Sequence, residues 1–169
     1  MRVAIIADTH LPRGRRELPE ACVARLAAAD LILHAGDFVA LSVLAELEAL
    51  GPPVRAVHGN VDCPELRRRL PARLVVEAAR VRLGLVHDAG PVQGRRERLR
   101  AAFPGTRAVV FGHSHVPVHE GDSEFAIFNP GSPTDRRRQP AHTMGMAYVG
   151  EGGERGERDA LRFEHVVLA

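Results

Sequence analysis

The chain contains no lysine: all 23 of its basic residues are arginine. A guanidinium fork suits phosphate geometry, but total loss of one residue type reads more simply as a coding bias. Tryptophan is also absent, and the aromatic side chains are one Tyr and six Phe. No aromatic residue interleaves with the arginine runs. Arg67-Arg68-Arg69 and Arg95-Arg96 therefore read as helix faces in solvent, and a stacking surface for single-stranded nucleic acid is not indicated. The two cysteines, Cys22 and Cys63, share no CxxC spacing. This argues against a disulfide framework and a thiolate zinc site, makes Cys63 a bystander thiol, and fits a reducing compartment, the cytoplasm. No run reaches about 18 apolar residues, so no membrane span is expected. No charged leader with an apolar core precedes the first strand-like segment, so no signal peptide is expected. The formal net charge of +2 is too small to point to or away from a polyanion. Repeats, low-complexity tracts and linkers are lacking. The 169 residues read as a single domain, 1–169, long enough to bury a core without staples.

What is present is a regular alternation. Residues 2–7 form a short β-branched run, as a strand buried on both faces does. Residues 18–29 have helical character, 31–33 form the next strand, and 39–50 place Val43, Leu44, Leu47 and Leu50 at helical spacing before Gly51-Pro52-Pro53 stops them. A third strand covers 54–57. Strands alternating with helices at this length predict a parallel sheet. The pattern then turns β-rich. Residues 74–77 and 81–86 read as paired strands, 95–102 as a short charged helix, and 108–111 as a strand. Residues 116–119 and 125–128 read as a hairpin. Residues 144–149 and 161–168 read as closing strands around a turn at Gly150-Glu151-Gly152-Gly153. Together they suggest two stacked sheets flanked by helices.

Metal-ligand residues recur where these strands end. Asp8 and His10 follow the first strand, Asp37 the second and Asn60 the third. His87 follows the strand ending at Val86, and His113 and His115 follow the run Ala108–Phe111. Open α/β sheets gather ligands at strand C-termini, and Gly36, Gly59 and Gly112 permit close backbone approach. Carboxylate and imidazole donors suit borderline divalent metals. Six or seven such donors are too many for one tetrahedral ion but fit two ions sharing a bridge, which can clamp a phosphate and activate a water. Asp37 stands alone on its turn and is the candidate bridge. His34 is either a supporting residue or an ordinary packed imidazole. Asp88 reads as loop support, and His119, His142 and His165 lie outside any motif. Asn129-Pro130-Gly131-Ser132 is either a structural turn or part of the site. Arg13, Arg15, Arg16 and the arginines of 136–138 are either phosphate contacts or solvated loops.

The ordered set Asp8-x-His10, Gly36-Asp37, Gly59-Asn60, His87 and Gly112-His113-x-His115 resembles the calcineurin-like metallophosphoesterases. The short length and the Asn129-Pro130-Gly131-Ser132 element are similar to the small single-domain phosphodiesterases of the YfcE type. The resemblance implies an αββα sandwich of two stacked mixed sheets, with the metals at the sheet edges. It implies that Asp8, His10 and His115 hold one ion, that Asn60, His87 and His113 hold the other, and that Asp37 bridges. The cofactors implied are two divalent metal ions, manganese first, with iron, nickel, cobalt, zinc or magnesium as alternatives. The activity implied is hydrolysis of a phosphate ester, most simply a phosphodiester, by a metal-bridging hydroxide. One departure stands out. Larger members commonly carry a His after the Asn as proton donor, and this chain has Val61. The catalytic candidates are accordingly Asn60 with His58 and Asp62 beside it. The expected partner is a small phosphoester substrate. A homo-oligomer is one possibility, and neither membrane nor nucleic acid is indicated. Two alternatives stay open: a nuclease or nucleotide phosphatase using the same chemistry, and a non-catalytic protein-binding scaffold like the retromer subunit that shares this fold. All seven ligand positions are intact, which favours catalysis.

Overall fold

The computed structural model describes residues 1–12, 14, 16–150 and 160–168. Five strands form the first sheet: β1 (Arg2–Ile6), β2 (Leu31–His34), β3 (Val54–Ala56), β9 (His142–Val149) and β10 (Leu161–Leu168), in the order β10-β9-β1-β2-β3. Five form the second: β4 (Arg73–Ala78), β5 (Val81–Val86), β6 (Ala108–Val110), β7 (Val118–Gly121) and β8 (Ala126–Asn129), in the order β4-β5-β6-β8-β7. Both sheets are mixed. β1, β2 and β3 run parallel, with β9 antiparallel to β1. In the second sheet β5, β6 and β8 run parallel, with β4 and β7 antiparallel at the edges.

The layering follows from the two-residue period of the strands. Val3, Ile5 and Ala7 point between the sheets, where they join Leu31, Leu33, Leu83, Leu85, Val110 and Phe128 in one core. Ala4 and Ile6 point the other way, onto the apolar stripes of α1 (Glu20–Ala27), α2 (Leu41–Glu48) and α3 (Pro64–Arg69) through Leu26, Leu44, Leu47 and Leu66. Val109 and Ile127 pack under Leu99 and Phe103 of α4 (Arg95–Ala102). Helix, sheet, sheet and helix therefore stack in that order, the αββα sandwich expected from the sequence. Because both faces of each central strand are covered, β1 and β6 read as unbroken apolar runs.

Differences from the sequence reading sit at element ends and in the arginine runs. The first helix is shorter at both ends, with Pro19 at its N-cap and Ala28 at its C-cap. The hairpin strands begin one to two residues later than expected. Arg95 is not a solvent-facing residue: it is buried, with its guanidinium 5.1 Å above the Phe111 ring. Arg96 holds Asp122. Arg67 also folds back: its Nε donates to the Asp62 carbonyl at 3.0 Å and its Nη2 to the Asn60 carbonyl. Long guanidinium stems cover apolar or backbone surface that hydropathy does not reveal. Arg13, Arg15 and residues 151–153 of the expected closing turn lie outside the described residues.

Candidate metal centre

The parallel strands of both sheets end at one edge, and backbone hydrogen bonds tie the loops leaving them. The Asp8 amide donates to the Gly36 carbonyl at 2.9 Å, and the Gly112 amide to the His87 carbonyl at 2.9 Å. Asp8, His10, Asp37, His113 and His115 all have positive φ, between 48° and 68°. Non-glycine residues occupy this region at a cost and cluster where a side chain must be aimed. Two glycines allow the loops to close. A Cβ on Gly59 would lie 2.0 Å from Asp37 Oδ1, and one on Gly36, whose φ is +94°, would lie 2.7 Å from the His87 ring.

The seven residues expected as ligands come together as two clusters. Asp8, His10 and His115 offer atoms within 4.8 Å of one another, as do Asp37, His87 and His113. Asn60 joins the second cluster, its Oδ1 lying 3.0 Å from both His87 Nε2 and His113 Nδ1. Asp37 lies between them: its Oδ2 is 3.5 Å from His10 Nε2 and 3.2 Å from His87 Nε2. Its other oxygen is occupied, accepting from the Val61 amide at 3.0 Å. The first cluster is buried, whereas Asn60 and His113 are exposed. A cleft of about 300 Å³ opens beside the second cluster, lined by His58, Asn60, Arg67, Arg73 and His87 among others.

Protons and charges at the site fit a bound cation. The Ala35 carbonyl, which can only accept, takes the His87 Nδ1–H at 2.8 Å, and the Asp135 carbonyl takes that of His115 at 2.5 Å. In the neutral rings Nε2 then carries the lone pair. On His87 that lone pair faces oxygens of Asp37 and Asn60, a repulsive contact unless a proton or metal ion lies between. Burial lowers the affinity of His87 for a proton, but the hydrogen bond to Asp37 and the Asp8 and Asp37 charges outweigh it and raise its pKa. Asp37 shows the converse. Burial pushes its pKa up, yet the His87 hydrogen bond and charge and the Val61 amide hold it down at about 2. At Asp8 burial outweighs the lowering effects of the His87 charge, the His113 amide and Arg137, and raises its pKa to about 7. Among the described residues its Oδ2 has no hydrogen-bond partner, nor does either ring nitrogen of His10. Burial keeps His10 neutral, lowering its pKa to about 4. Buried polar atoms are rarely left unpaired in this way. Here a buried carboxylate with one unpaired oxygen and an imidazole with no partner on either nitrogen belong to one cluster.

The surrounding residues aim these donors. His34 accepts the Gly36 amide at Nδ1, at 3.1 Å, so its Nε2–H faces Thr9 Oγ1 at 3.1 Å, and it stacks on Phe38. Thr9 in turn donates to the Asp37 carbonyl at 3.4 Å. His34 thus joins the first two loops. Asn129 donates to the Gly112 carbonyl at 2.8 Å, Ser132 Oγ to the Asp8 carbonyl at 2.8 Å, and Thr134 Oγ1 to the Thr9 carbonyl at 2.5 Å. The Asn129–Ser132 turn therefore supports the site. His165, outside every motif, donates to the Asn129 carbonyl at 2.7 Å. Asp88 accepts the Gly90 amide at 2.7 Å, as loop support does. Asp62 is placed differently from a proton donor. It is buried, and its two oxygens accept the amides of Val39 at 2.7 Å, Gly59 at 2.7 Å and Asp37 at 3.2 Å. The sequence reading missed Thr9 and Arg67. Thr9 could have been noticed as the polar residue enclosed between two ligand candidates.

A family model for the calcineurin-like phosphoesterase superfamily domain matches residues 1–152. The chain belongs to that superfamily. A probable metallophosphoesterase of Methanothermobacter thermautotrophicus is 34% identical over 153 residues, 89% of this chain and 88% of the relative. A phosphodiesterase of Methanocaldococcus jannaschii is 27% identical over 145 residues, 78% of this chain and 83% of its own. Among solved structures, Vps29 of Entamoeba histolytica complexed with zinc superposes with a TM-score of 0.75 over all of both chains. At 20% identity that likeness shows the fold alone. The chain thus comes from a metal-dependent family and carries two clusters able to hold metal ions. No helix among its described residues is long and apolar enough to cross a membrane.

Proposed function

We propose that this protein is a single domain, 1–169, that hydrolyses small phosphodiesters with two divalent cations, manganese foremost. Asp8, His10 and His115 would hold one cation, Asn60, His87 and His113 the other, and Asp37 would be shared. The observation that carries the reading is the placement of one Asp37 oxygen between His10 and His87. When bound, the cations would supply positive charge to polarise the phosphoryl oxygens and activate a water as the nucleophile. The protein's part is orientation. The Ala35 and Asp135 carbonyls fix two imidazoles, and the exposure of Asn60 and His113 gives the ester its approach. Val61 cannot donate a proton to the leaving group. Of the two other candidates, Asp62 is assigned to positioning because backbone amides engage its oxygens. His58, which lines the cleft, is assigned as the donor. The two free cysteines fit a reducing compartment, the cytoplasm.

The test is turnover of bis-p-nitrophenyl phosphate by the manganese-loaded protein, with p-nitrophenyl phosphate and a nucleotide panel beside it. Diester turnover exceeding monoester turnover is the expected result. No turnover of any ester with Mn, Ni, Co or Mg would leave the scaffold reading, which rests on fold likeness to Vps29.

Metal uptake should be coupled to protons. In the metal-free protein Asp8 keeps its proton below about 7, and a cation must displace it, while His10 is already neutral. Affinity for the cation held by Asp8 should therefore fall about tenfold per pH unit below 7, with a proton released from Asp8 at that cation and another from His87, whose pKa is also raised, at the second. Calorimetry in buffers of different ionisation enthalpy measures both quantities. A pH-independent affinity would show that Asp8 is not a ligand.

A further inference from the structure

Arg137 occupies an unusual place above the first cluster. Its φ is +52°, the left-handed region that L side chains rarely adopt. Its Nε lies 3.4 Å from Asp135 Oδ2, and its Nη2 lies 3.4 Å from His115 Nε2. Because His115 Nδ1–H donates to the Asp135 carbonyl, Nε2 is the acceptor here and the guanidinium the donor. Arg137 thus rests on the lone pair assigned above to a cation.

The support beneath Arg137 is firmly anchored. The Asp135 amide donates to Ser132 Oγ at 2.9 Å, and Ser132 Oγ donates to the Asp8 carbonyl at 2.8 Å. The Asp135 carboxylate also holds Arg16, at 3.1 Å. Two guanidiniums share one carboxylate at the rim of the first cluster, and Arg137 also lies within electrostatic reach of Asp8. The Arg137 side chain is 58% exposed, so it has room to turn outward while its Nε stays on Asp135.

One lone pair cannot serve a guanidinium and a metal ion together, and like charges at that distance repel. We propose that Arg137 is a phosphate-gripping residue: it yields His115 to the first cation and turns its guanidinium to an oxygen of the substrate's phosphoryl group. The proposal rests on the hydrolytic reading for its substrate, yet it makes a separate claim about anion binding. A guanidinium matches two phosphate oxygens in a way an ammonium does not. Arg137 binds and orients, and no proton moves through it.

The test compares wild type with Arg137→Ala, Arg137→Lys and Arg138→Ala, the last removing the same charge one residue along. Two quantities are measured by calorimetry: manganese affinity of the metal-free protein, and inorganic phosphate affinity of the manganese-loaded protein. Arg137→Ala should hold manganese as tightly as wild type or several-fold more tightly, because a competitor for His115 is gone. It should bind phosphate about tenfold more weakly or worse, with KM for the diester rising more than kcat falls. Arg137→Lys should recover only part of the phosphate affinity, and Arg138→Ala should change either quantity less than about twofold. If Arg137→Ala loosens manganese and leaves phosphate affinity unchanged, Arg137 is a strut for His115 and the proposal is overturned. Wild type that binds no phosphate overturns it as well. Wild type that binds phosphate through Arg137 but turns over no ester would retire the hydrolytic reading and leave the anion site standing.

Discussion

Asp37→Ala is expected to reduce manganese-dependent diester turnover by on the order of a thousandfold or more while leaving the fold intact. The carboxylate has two separate tasks. Oδ1 accepts the Val61 amide at 3.0 Å and fixes the loop that carries Asn60. Oδ2 lies within reach of both His10 and His87. Its removal takes away the carboxylate that lies between the two clusters, and without it two dications held there would approach each other unscreened. Metal stoichiometry should fall from two to one or none, read by elemental analysis after desalting. The core does not depend on this side chain, so far-ultraviolet circular dichroism should be unchanged. Asp37→Asn separates the two tasks. Its amide oxygen can still receive the Val61 amide, but the charge is lost, so stability should recover and two-metal binding should not. His113→Ala should likewise lose turnover with an unchanged spectrum. An Asp37→Ala protein that retains two metals and wild-type turnover would show that the two clusters do not share a bridge.

How much of this centre the sequence revealed depends on the kind of interaction. That Asp8, His10, Asp37, Asn60, His87, His113 and His115 would lie together was legible because each follows a strand end, and the fold gathers them in two clusters. The sandwich was legible because strands covered on both faces read as unbroken apolar runs, whereas edge strands alternate. β4, with Leu74, Val76 and Ala78 turned inward and Glu77 outward, shows the difference. The partners of the supporting residues could not be read. Asp62 looks like one more acid beside Asn60. Its meaning comes from three amides, 3, 23 and 25 residues away, that meet at its oxygens only after two parallel strands are in register. Arg67 and Arg95 sit in runs that resemble solvated faces, and only the packed chain shows one guanidinium on a loop carbonyl and the other on Phe111. Helix ends shifted for a local reason: neither Pro19 nor Ala28 offers a capping side chain, so composition did not mark the boundary.

Asp62→Ala should cost both stability and metal binding, and that combination distinguishes a positioning carboxylate from a proton donor. The substitution leaves the amides of Asp37, Val39 and Gly59 without their acceptor in a region where Asp37, Phe38 and Gly59 are buried. Each unmade bond to a buried donor costs about 1–3 kcal/mol. The loss of all three should come to roughly 3–9 kcal/mol, a large share of the stability of a typical domain. At this chain length that corresponds to a melting temperature lower by about 10 °C or more. Val39 adds to the penalty: it is β-branched with φ of +90°, and the Asp62 hydrogen bond is part of what holds it there. The effect on the metal site follows from geometry. Asp62 Oδ2 receives both the Asp37 and Gly59 amides, and so holds the bridging candidate against the loop that carries Asn60. Once it is gone, the two loops separate and manganese affinity should fall with stability. Asp62→Asn should rescue poorly, since its Nδ2 would point at an amide N–H. Were Asp62 instead the general acid, the alanine variant would melt normally and hold two metals. It would fail only in kcat, most severely for esters with poor leaving groups. Thermal denaturation and manganese titration of the same preparation therefore decide between the two roles before any turnover is measured.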